Sequence, residues 1–308
     1  MERIKRLETL INLLERRPYR SKEEILDYFK DHHDLQISSR TLERDFKTLE
    51  TDFHIAVIYN RSNNGYYISK EDSEQVAEFL QLSGRIYLAE LFREGLKQFK
   101  DLQRSVKLED HSGFEGIRYI EPIFLAINQK RAIDFIHYNY FRNSYTYYRI
   151  APIQLREFRR RWYVVGIPLN DKNQADKNAH IRTFGLARLT KLKTLGPAEF
   201  EEKKFENQLQ KFSKIIGLNY DAAEKQEIIE IAVNPKQYKY LESLPLHPSQ
   251  EKIAKLPDGR IKISLFLIPN YELKMQLLKL GDQIEVLNPP TLREEIKNTL
   301  EKTIVYYQ

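Results

Sequence analysis

Arginine and tyrosine recur together between residues 118 and 196, and this combination of side chains suits the binding of anions. The stretch RRRWYVVGIP, residues 159–168, places three arginines and the only tryptophan beside a run of apolar residues. A guanidinium group binds phosphate through paired hydrogen bonds, and a tyrosine ring can stack on a nucleobase. The segment holds 15 Lys and Arg against 5 Asp and Glu, a net charge of +10 in a chain whose total is +6. We therefore predict an anionic partner for this segment; the alternative is a basic surface that only aids solubility.

The elements that carry these residues are predicted to be strands of a small curled barrel. Four stretches rich in β-branched and aromatic residues are separated by polar or turn segments: RAIDFIHYNY, YYRIAPIQLREF, RRRWYVVGIP and HIRTFGLARLTKL. Side chains alternate between the two faces of a strand, so Trp162 and Val164 point one way and Arg161 and Tyr163 the other. Trp162 is thus predicted to lie in the core, while the arginines reach solvent.

Residues 1–69 show the pattern of a winged helix-turn-helix. Three helices are predicted from the spacing of apolar residues, the second beginning at the capping box of Ser21 and Glu24 and the third at Ser38 or Ser39. The stretch HIAVIYNRSNNGYYIS then predicts a hairpin that turns at Asn63, Asn64 and Gly65. A hairpin after the third helix is a wing, and the third helix of this arrangement enters the major groove of duplex DNA.

The predicted DNA-contacting residues lie on the outer face of the third helix and at the tip of the wing. They are Ser39, Arg40, Thr41, Arg44, Lys47, Arg61, Asn63 and Asn64. Arginine can donate to phosphates or to guanine, whereas a carboxylate facing phosphates would be repelled. Asp45 is therefore predicted to orient a neighbouring arginine or to cap a helix. Because the net charge of this segment is zero, a protein-docking module is the alternative.

The other two segments carry packing and assembly patterns. Residues 70–117 predict two helices with a broad apolar surface, which would pack between domains or across a dimer, and a flexible joint at residues 109–116. Residues 197–308 predict the order βαββαβ of a ferredoxin-like domain, with a turn at PDGR and a helix beginning at Asn270. We expect this last segment to serve dimerisation or coupling to an effector.

Several classes of function lack their usual signatures. The chain has no P-loop, no H-E-x-x-H, no G-x-S-x-G and no G-x-G-x-x-G motif, and the DHHD at residues 31–34 falls where a helix should end, so we expect no enzyme, cofactor or metal site. The absence of cysteine excludes disulfides and thiolate sites. There is no apolar run of 18 residues and no export leader, so we predict a cytoplasmic protein without a membrane partner.

Three segments, in order along the chain, resemble the bacterial transcriptional regulators of the DeoR-like and WYL-domain type. RTLERDFKTLE followed by GYYIS resembles their winged helix-turn-helix. Trp162 and Tyr163 match the name of the WYL domain, an Sm-like barrel, with Val164 in place of leucine and Ala187 in place of a usual aspartate. The segments HPSQ, LPDGR and LLKLGDQIEVLNPP resemble the extension that follows this domain.

The resemblance implies a ligand-sensing face on the barrel. Carried over onto this sequence, the ligand-binding residues are His137, Tyr138, Arg149, Tyr163, Arg182 and Arg188. Regulators of this type are linked to the sensing of nucleic acids or nucleotide-like anions.

The predicted fold class is an α+β multidomain protein with a winged helix-turn-helix (1–69), a helical connector (70–117), an Sm-like barrel (118–196) and a ferredoxin-like domain (197–308). The predicted function is a homodimeric, sequence-specific regulator of transcription, acting as a repressor on a double-stranded operator. Its barrel would sense a nucleotide or a single-stranded nucleic acid that changes operator binding. The alternative is an RNA-binding protein that uses the barrel.

Overall fold

A computed structural model describes residues 2–33, 35–96, 116–176, 179–219 and 225–308 of the chain. The chain divides into two compact units, residues 1–109 and residues 110–308. The predicted joint at 109–116 lies outside the described residues except for Gly116. Within the described ranges, no helix is both long enough and apolar enough to cross a membrane.

The first unit is a three-helix bundle followed by a hairpin, as the sequence predicts. Its elements are α1 (Glu2–Arg16), α2 (Lys22–His33), α3 (Ser39–Phe53), β1 (Val57–Asn60) and β2 (Gly65–Ile68). Its core collects the apolar faces of the helices, among them Leu10, Phe29 and Leu42, which are fully buried.

Local capping sets where two of these helices begin. At α2, the amide of Ser21 donates to Glu24 (2.7 Å) and the amide of Glu24 donates to the Ser21 hydroxyl (3.1 Å), which confirms the predicted capping box. At α3, the side chain of Ser38 accepts from the amide of Thr41. The N-cap of α3 is therefore Ser38 rather than Ser39, and Ser39 is the first helical residue.

The hairpin turn differs from the prediction in the role of its glycine. Asn64 takes the positive φ of the turn (48°), whereas Gly65 is the first residue of β2 and pairs with Asn60. A Cβ on Gly65 would lie 2.2 Å from the backbone carbonyl carbon of Tyr19. Glycine is required here because the Tyr19–Arg20 backbone runs close alongside β2, where Arg20 forms a bridge to Tyr66.

In the described part of the connector, one helix, α4 (Ser73–Leu96), spans the apolar positions from Val76 to Leu96 that the sequence analysis divided between two helices. Val76 and Phe79 are buried in the core of the first unit, where Phe79 packs edge-on against Phe53. Leu82, Ile86 and Tyr87 are exposed. The first half of α4 is thus part of the N-terminal bundle rather than a tether; Phe99 and the rest of the predicted second helix lie outside the described residues.

The second unit begins with a sheet domain. After a 3₁₀ turn at Ile117–Tyr119 come α5 (Ile120–Asn128), β3 (Arg131–Asn139), β4 (Ser144–Phe158), β5 (Arg161–Pro168), β6 (Arg182–Gly185) and β7 (Leu189–Pro197). The sheet order is β6-β5-β4-β3-β7, and every pairing is antiparallel. Helix α5, which the sequence analysis did not identify, buries Ile123 and Ala126 against the sheet.

The sheet must curl, because its two edge strands are almost consecutive in sequence. Only the 3₁₀ turn Leu186–Arg188 separates β6 from β7. The edges of a flat five-stranded sheet would lie about 19 Å apart, since neighbouring strands are about 4.8 Å apart. Three residues rising about 2 Å each cannot span that distance. The curl agrees with the predicted barrel, and the predicted last strand is in fact two strands.

The rest of the second unit confirms the ferredoxin-like order. After α6 (Glu202–Gln210) come β8 (Glu227–Val233), α7 (Pro235–Ser243), β9 (Glu251–Lys255), β10 (Ile261–Leu267), α8 (Tyr271–Lys279), β11 (Ile284–Asn288) and α9 (Pro290–Ile304). The antiparallel sheet has the order β11-β8-β10-β9. Asn270 caps α8 by accepting from the amide of Leu273 (2.9 Å), as predicted.

Candidate functional site

The predicted recognition helix α3 presents its basic residues to solvent. Arg40, Arg44 and Lys47 are exposed, as is Ser39 at the start of the helix. Thr41 is half-buried, and its hydroxyl lies 3.0 Å from the Ser38 hydroxyl within the N-cap. The four exposed residues are accessible for a DNA contact, whereas Thr41 already has a structural role.

Two arginines of α1 hold α3 in place by binding buried residues of α3. Asp45 is buried and receives two hydrogen bonds from Arg6, at 2.5 Å from Nε and 2.9 Å from Nη2. One turn later Arg3 donates to the hydroxyl of Thr48. As expected, Asp45 orients an arginine rather than facing solvent, and that arginine comes from α1.

The wing tip is exposed and partly preorganised. The Tyr59 hydroxyl donates to the side-chain oxygen of Asn64 (2.6 Å), and Asn60 accepts from the backbone amide of Asn63 (3.0 Å). Arg61, Asn63 and Asn64 are all exposed. The tip thus offers one guanidinium and the side-chain amides of two asparagines on a turn fixed by its own hydrogen bonds.

In the sheet domain, Tyr163 and Arg188 meet above Gly185. Tyr163 pairs with Gly185 across β5 and β6. Arg188 follows Gly185 by three residues, so the 3₁₀ turn brings its side chain back over the glycine. The Arg188 Nε and Nη2 atoms lie 3.1 and 3.2 Å, and Tyr163 Cε1 3.5 Å, from where a Cβ on residue 185 would be. The missing side chain at residue 185 makes room for the guanidinium beside the tyrosine.

A second tyrosine also lies close to Arg188. The Arg188 guanidinium carbon lies 5.4 Å from the centre of the Tyr140 ring. Tyr140 contacts Tyr138 edge-on (5.4 Å), and Tyr138 packs on Tyr145 (4.9 Å). We call Tyr145, Tyr138, Tyr140, Arg188 and Tyr163 the tyrosine-arginine row. Sequence reasoning identified three of its members and missed Tyr140 and Tyr145, although their alternation with Tyr138 and Tyr147 was a usable signal.

Arg156 lies beside this row and was also missed. It pairs with Tyr163 across β4 and β5, so both side chains are on the outer face of the sheet. Its guanidinium carbon lies 4.4 Å from the centre of the Phe212 ring, its Nη1 donates to Gln154 (3.1 Å), and burial lowers the pKa of this guanidinium. Arg156 therefore supplies a positive charge next to Tyr163 that is partly desolvated and is fixed in position by its contacts with Phe212 and Gln154.

His137 is buried rather than displayed. It lies 7% exposed in an aromatic cluster, with ring centres 5.5 Å from Phe184 and 6.2 Å from Tyr148. Burial, followed by the charge of Arg188, lowers the pKa of His137 to about 4. Its Nε2 atom is shielded from solvent and has no hydrogen-bond partner among the described residues. A neutral imidazole therefore lies beneath the row, where it can respond to Arg188 but does not reach a ligand at the surface.

Arg149 and Arg182 are apart from the row. Arg149 donates to the backbone oxygen of Asp171 (2.7 Å) and to the Tyr147 hydroxyl (3.1 Å). Arg182 is exposed and pairs with Gly166. Gly166 is three residues from Tyr163 on the same strand, and an odd number of residues changes the face, so Arg182 points to the other face of the sheet. The structure thus brings Tyr138, Tyr163 and Arg188 together, with His137 below them, and does not bring Arg149 or Arg182 to the same place.

One cavity beside this domain has the wrong charge for an anion. Its volume is about 460 Å³, and its lining includes Asp176, Glu199 and Glu201, with Lys204 as the cation. The described residues contain no cluster of three or more His, Cys, Asp or Glu that could hold a metal ion. The tyrosine-arginine row, which is exposed at Tyr140 and Tyr145 and half-buried at its other members, is therefore the better candidate for an anionic ligand.

Comparisons with known proteins agree with this domain order. Two family models match the chain: the WYL domain over residues 118–194 and the WCX domain over residues 226–304. No curated protein matches the chain.

Among the solved structures that are similar to this chain are two of low sequence identity. Proteasome accessory factor B/C (PafBC) of Arthrobacter aurescens is 17% identical, with a TM-score of 0.28 over 100% of this chain and 49% of that one. A CRISPR Cas-related protein is 14% identical, with a TM-score of 0.43 over 99% of this chain and 85% of that one. The chain spans about half the length of the first. The domain matches therefore carry the assignment: the chain contains a WYL domain followed by a WCX domain.

Proposed function

We propose that this protein is a sequence-specific DNA-binding regulator of transcription whose WYL domain senses an anionic, nucleotide-like ligand. The observation that carries the proposal is the position of Arg188 above Gly185, close to both Tyr163 and Tyr140. A guanidinium flanked by aromatic rings can pair with a phosphate while a base stacks on a ring.

The DNA-binding part of the proposal is supported by the first unit. Helix α3 exposes Arg40, Arg44 and Lys47, while its buried residues Asp45 and Thr48 accept hydrogen bonds from arginines of α1. A rigidly held helix with an exposed basic face, followed by a wing, suits insertion into the major groove. We propose that two copies of the chain bind a two-fold operator. Each chain has one winged helix-turn-helix, and a dimer that binds two half-sites has a higher affinity for DNA than a single chain.

The ligand must favour one of two states of the protein, since equal affinity for both would shift nothing. Arg188 is suited to transmit ligand binding to the interior of the domain, because a phosphate bound to it changes the electrostatic environment of the buried His137. We propose repression as the mode of action, and the titration below measures whether the ligand releases or tightens the operator.

Titration of an operator complex tests the proposal. The operator is first selected from random duplexes, and nucleotides and short oligonucleotides are then added while fluorescence anisotropy follows the labelled operator. Arg188→Ala is expected to abolish the response and leave ligand-free operator binding intact. Lys172→Ala removes an exposed charge from a loop of the same domain and serves as the matched control. An unchanged response in Arg188→Ala would contradict the sensor assignment.

A second candidate is RNA binding, which the exposed aromatic residues of the β3–β4 hairpin favour. Tyr140, Phe141, Tyr145 and Tyr147 are 63%, 98%, 69% and 53% exposed. Sheet-borne aromatic side chains of this kind stack single-stranded bases. Competition between RNA and a selected duplex at a stated salt concentration separates the two: preference for RNA over every selected duplex would favour this second function.

A further inference from the structure

Helix α3 carries a carboxylate within its exposed basic face. Arg40, Glu43, Arg44 and Lys47 follow the spacing i, i+3, i+4 and i+7, which places their side chains on one face of the helix. All four residues are exposed. The three basic members are predicted to contact DNA, whereas Glu43 was not among the predicted contacts. The face that would meet DNA therefore presents a negative charge among three positive ones.

Glu43 is held in position by a residue of α2. The Lys22 Nζ atom donates to Oε1 of Glu43 at 2.6 Å, and Lys22 is the first residue of α2. The side chain of Glu43 nevertheless remains 59% exposed. An ionised carboxylate has two oxygens and about four acceptor sites, so one contact with a lysine leaves capacity for a further donor. The ion pair thus orients the carboxylate on the face of α3 without covering it.

The chemistry of the major groove limits what a carboxylate on this face can contact. Phosphates repel it because both groups are negative. Guanine presents two acceptors in the major groove, thymine presents an acceptor and a methyl group, and adenine presents an acceptor beside its amino donor. Cytosine presents the N4 amino group as a donor, and this is the base that aspartate and glutamate contact. Cytosine is therefore the base that complements Glu43.

The position of Glu43 along α3 suits contact with a base edge. It is the fifth residue of the helix, and the N-terminal residues of a recognition helix are those that contact bases. Glu50 is exposed and follows Glu43 by seven residues, nearly two turns, so it lies on almost the same side of the helix. Because it is about 10.5 Å farther along the axis, Glu50 provides a matched carboxylate outside the N-terminal region.

We propose that Glu43 recognises a cytosine of the operator by accepting a hydrogen bond from its N4 amino group, with Lys22 as the positioning residue. This inference rests on the proposed DNA-binding function and specifies it further: the operator contains a cytosine that neither guanine nor thymine can replace. The positive charge of Lys22 also offsets part of the repulsion between the carboxylate and the nearby phosphates.

Selection of operators from random duplexes tests the base preference. Glu43→Ala should lose the preference for cytosine at one position and bind unrelated duplexes more tightly, because a charge repelled by phosphates is removed. Glu43→Gln should select adenine at that position, since glutamine forms two hydrogen bonds with adenine. Glu50→Gln should select the same operator as the unchanged protein. A new base preference cannot result from unfolding.

Methylation of the amino group tests the same contact on the base. N4-methylcytosine still pairs with guanine, but its methyl group replaces the hydrogen that faces the major groove. Each cytosine of the selected operator is replaced in turn, and anisotropy measures the affinity. At one position the unchanged protein should bind on the order of tenfold more weakly, as for a mismatched base pair, whereas Glu43→Ala should bind both duplexes equally.

Variants of Lys22 test its positioning role. Lys22→Ala should reduce the effect of N4-methylation, whereas Lys22→Arg keeps a cation beside Glu43 and should retain most of it. If Lys22→Ala and Glu43→Ala lower the melting temperature equally and neither alters base preference, the ion pair is structural and the inference is overturned.

Failure of this inference is distinguishable from failure of the proposed function. If the unchanged protein selects a duplex but Glu43→Gln and Glu43→Ala select the same one, DNA binding stands and the role of Glu43 is overturned. If no cytosine of the selected operator responds to N4-methylation, the same conclusion follows. If the unchanged protein selects no duplex, the DNA-binding function and this inference both fail.

Discussion

The guanidinium of Arg188 occupies the space above Gly185 where a side chain would otherwise stand, with its Nε atom 3.1 Å from the position of an added Cβ. Residue 185 therefore controls where the charge of Arg188 is held relative to Tyr163. Because of this geometry, we expect ligand binding to depend on residue 185, although a glycine has no side chain to contact the ligand.

Gly185→Ala is expected to move the Arg188 guanidinium by a few tenths of an ångström or more and to weaken ligand binding severalfold. Stability should change by less than about 1 kcal/mol, because the atom displaced is the end of a flexible side chain. Gly196→Ala is the matched control, since its added Cβ would meet only the side chain of Asn173, at 3.7 Å. Ligand titration and thermal unfolding of both variants give the comparison; equal affinity in the two would refute the steric role of residue 185.

Arg40→Ala and Arg44→Ala are expected to weaken operator binding without unfolding the chain, because both side chains are exposed on α3. A base-reading arginine should cost about 1–3 kcal/mol and relax specificity at one position, whereas a phosphate contact should mainly lower the salt slope. Anisotropy on single-base operator variants at several salt concentrations separates these roles. Glu50→Gln, exposed on the same helix, is the control, and normal binding by both arginine variants would exclude this face from the interface.

Asp45→Asn is expected to destabilise the first unit by about 3 kcal/mol. The carboxylate is buried, and removing its charge leaves Arg6 without its two-bond partner. Urea denaturation of the full-length chain measures the loss, with the exposed Asp52→Asn as control. At a temperature where the variant remains folded, operator binding should be close to normal. A stable Asp45→Asn protein with poor operator binding would instead place Asp45 in the DNA interface.

His137 predicts a pH dependence of stability. Its pKa in the folded protein is about 4, below the value near 6.5 of an unfolded chain, so the unfolded state binds the proton more readily. The stabilising effect of the neutral imidazole is present in full above pH 6.5 and is lost as the pH falls towards 4. The difference between the two pKa values corresponds to a change of about 3 kcal/mol in the free energy of unfolding over this pH range.

His137→Phe supplies the comparison for that window. Phenylalanine suits the cluster formed with Phe184 and Tyr148 but cannot take up a proton. Urea denaturation at pH 4.5 and pH 7.5 should show a smaller loss of stability in the variant than in the unchanged protein. Identical losses would assign the pH dependence to other groups.

The sequence by itself determined the elements that depend on neighbouring residues. The capping box of Ser21 and Glu24, the cap at Asn270 and the alternating strands are local patterns, and the structure confirms them. The domain order followed from these patterns together with motif resemblance. Helix α5 was missed because its nine residues are apolar on most sides and lie in a segment that otherwise favours strands.

Only the tertiary structure decided which side chains share a site. A bulge between Pro152 and Gln154 shifts the register of β4 against β5, and this shift puts Arg156 on the face of Tyr163. The pairing of His137 with Leu189 closes the sheet over the imidazole and buries it, although its neighbour Tyr138 belongs to the surface row. Gly65 and Gly185 are required by close approaches from distant residues or from a following turn rather than by positive φ. Alternation along one strand is local information, whereas register, curl and close approach depend on contacts between strands, and these exist only once the chain has folded.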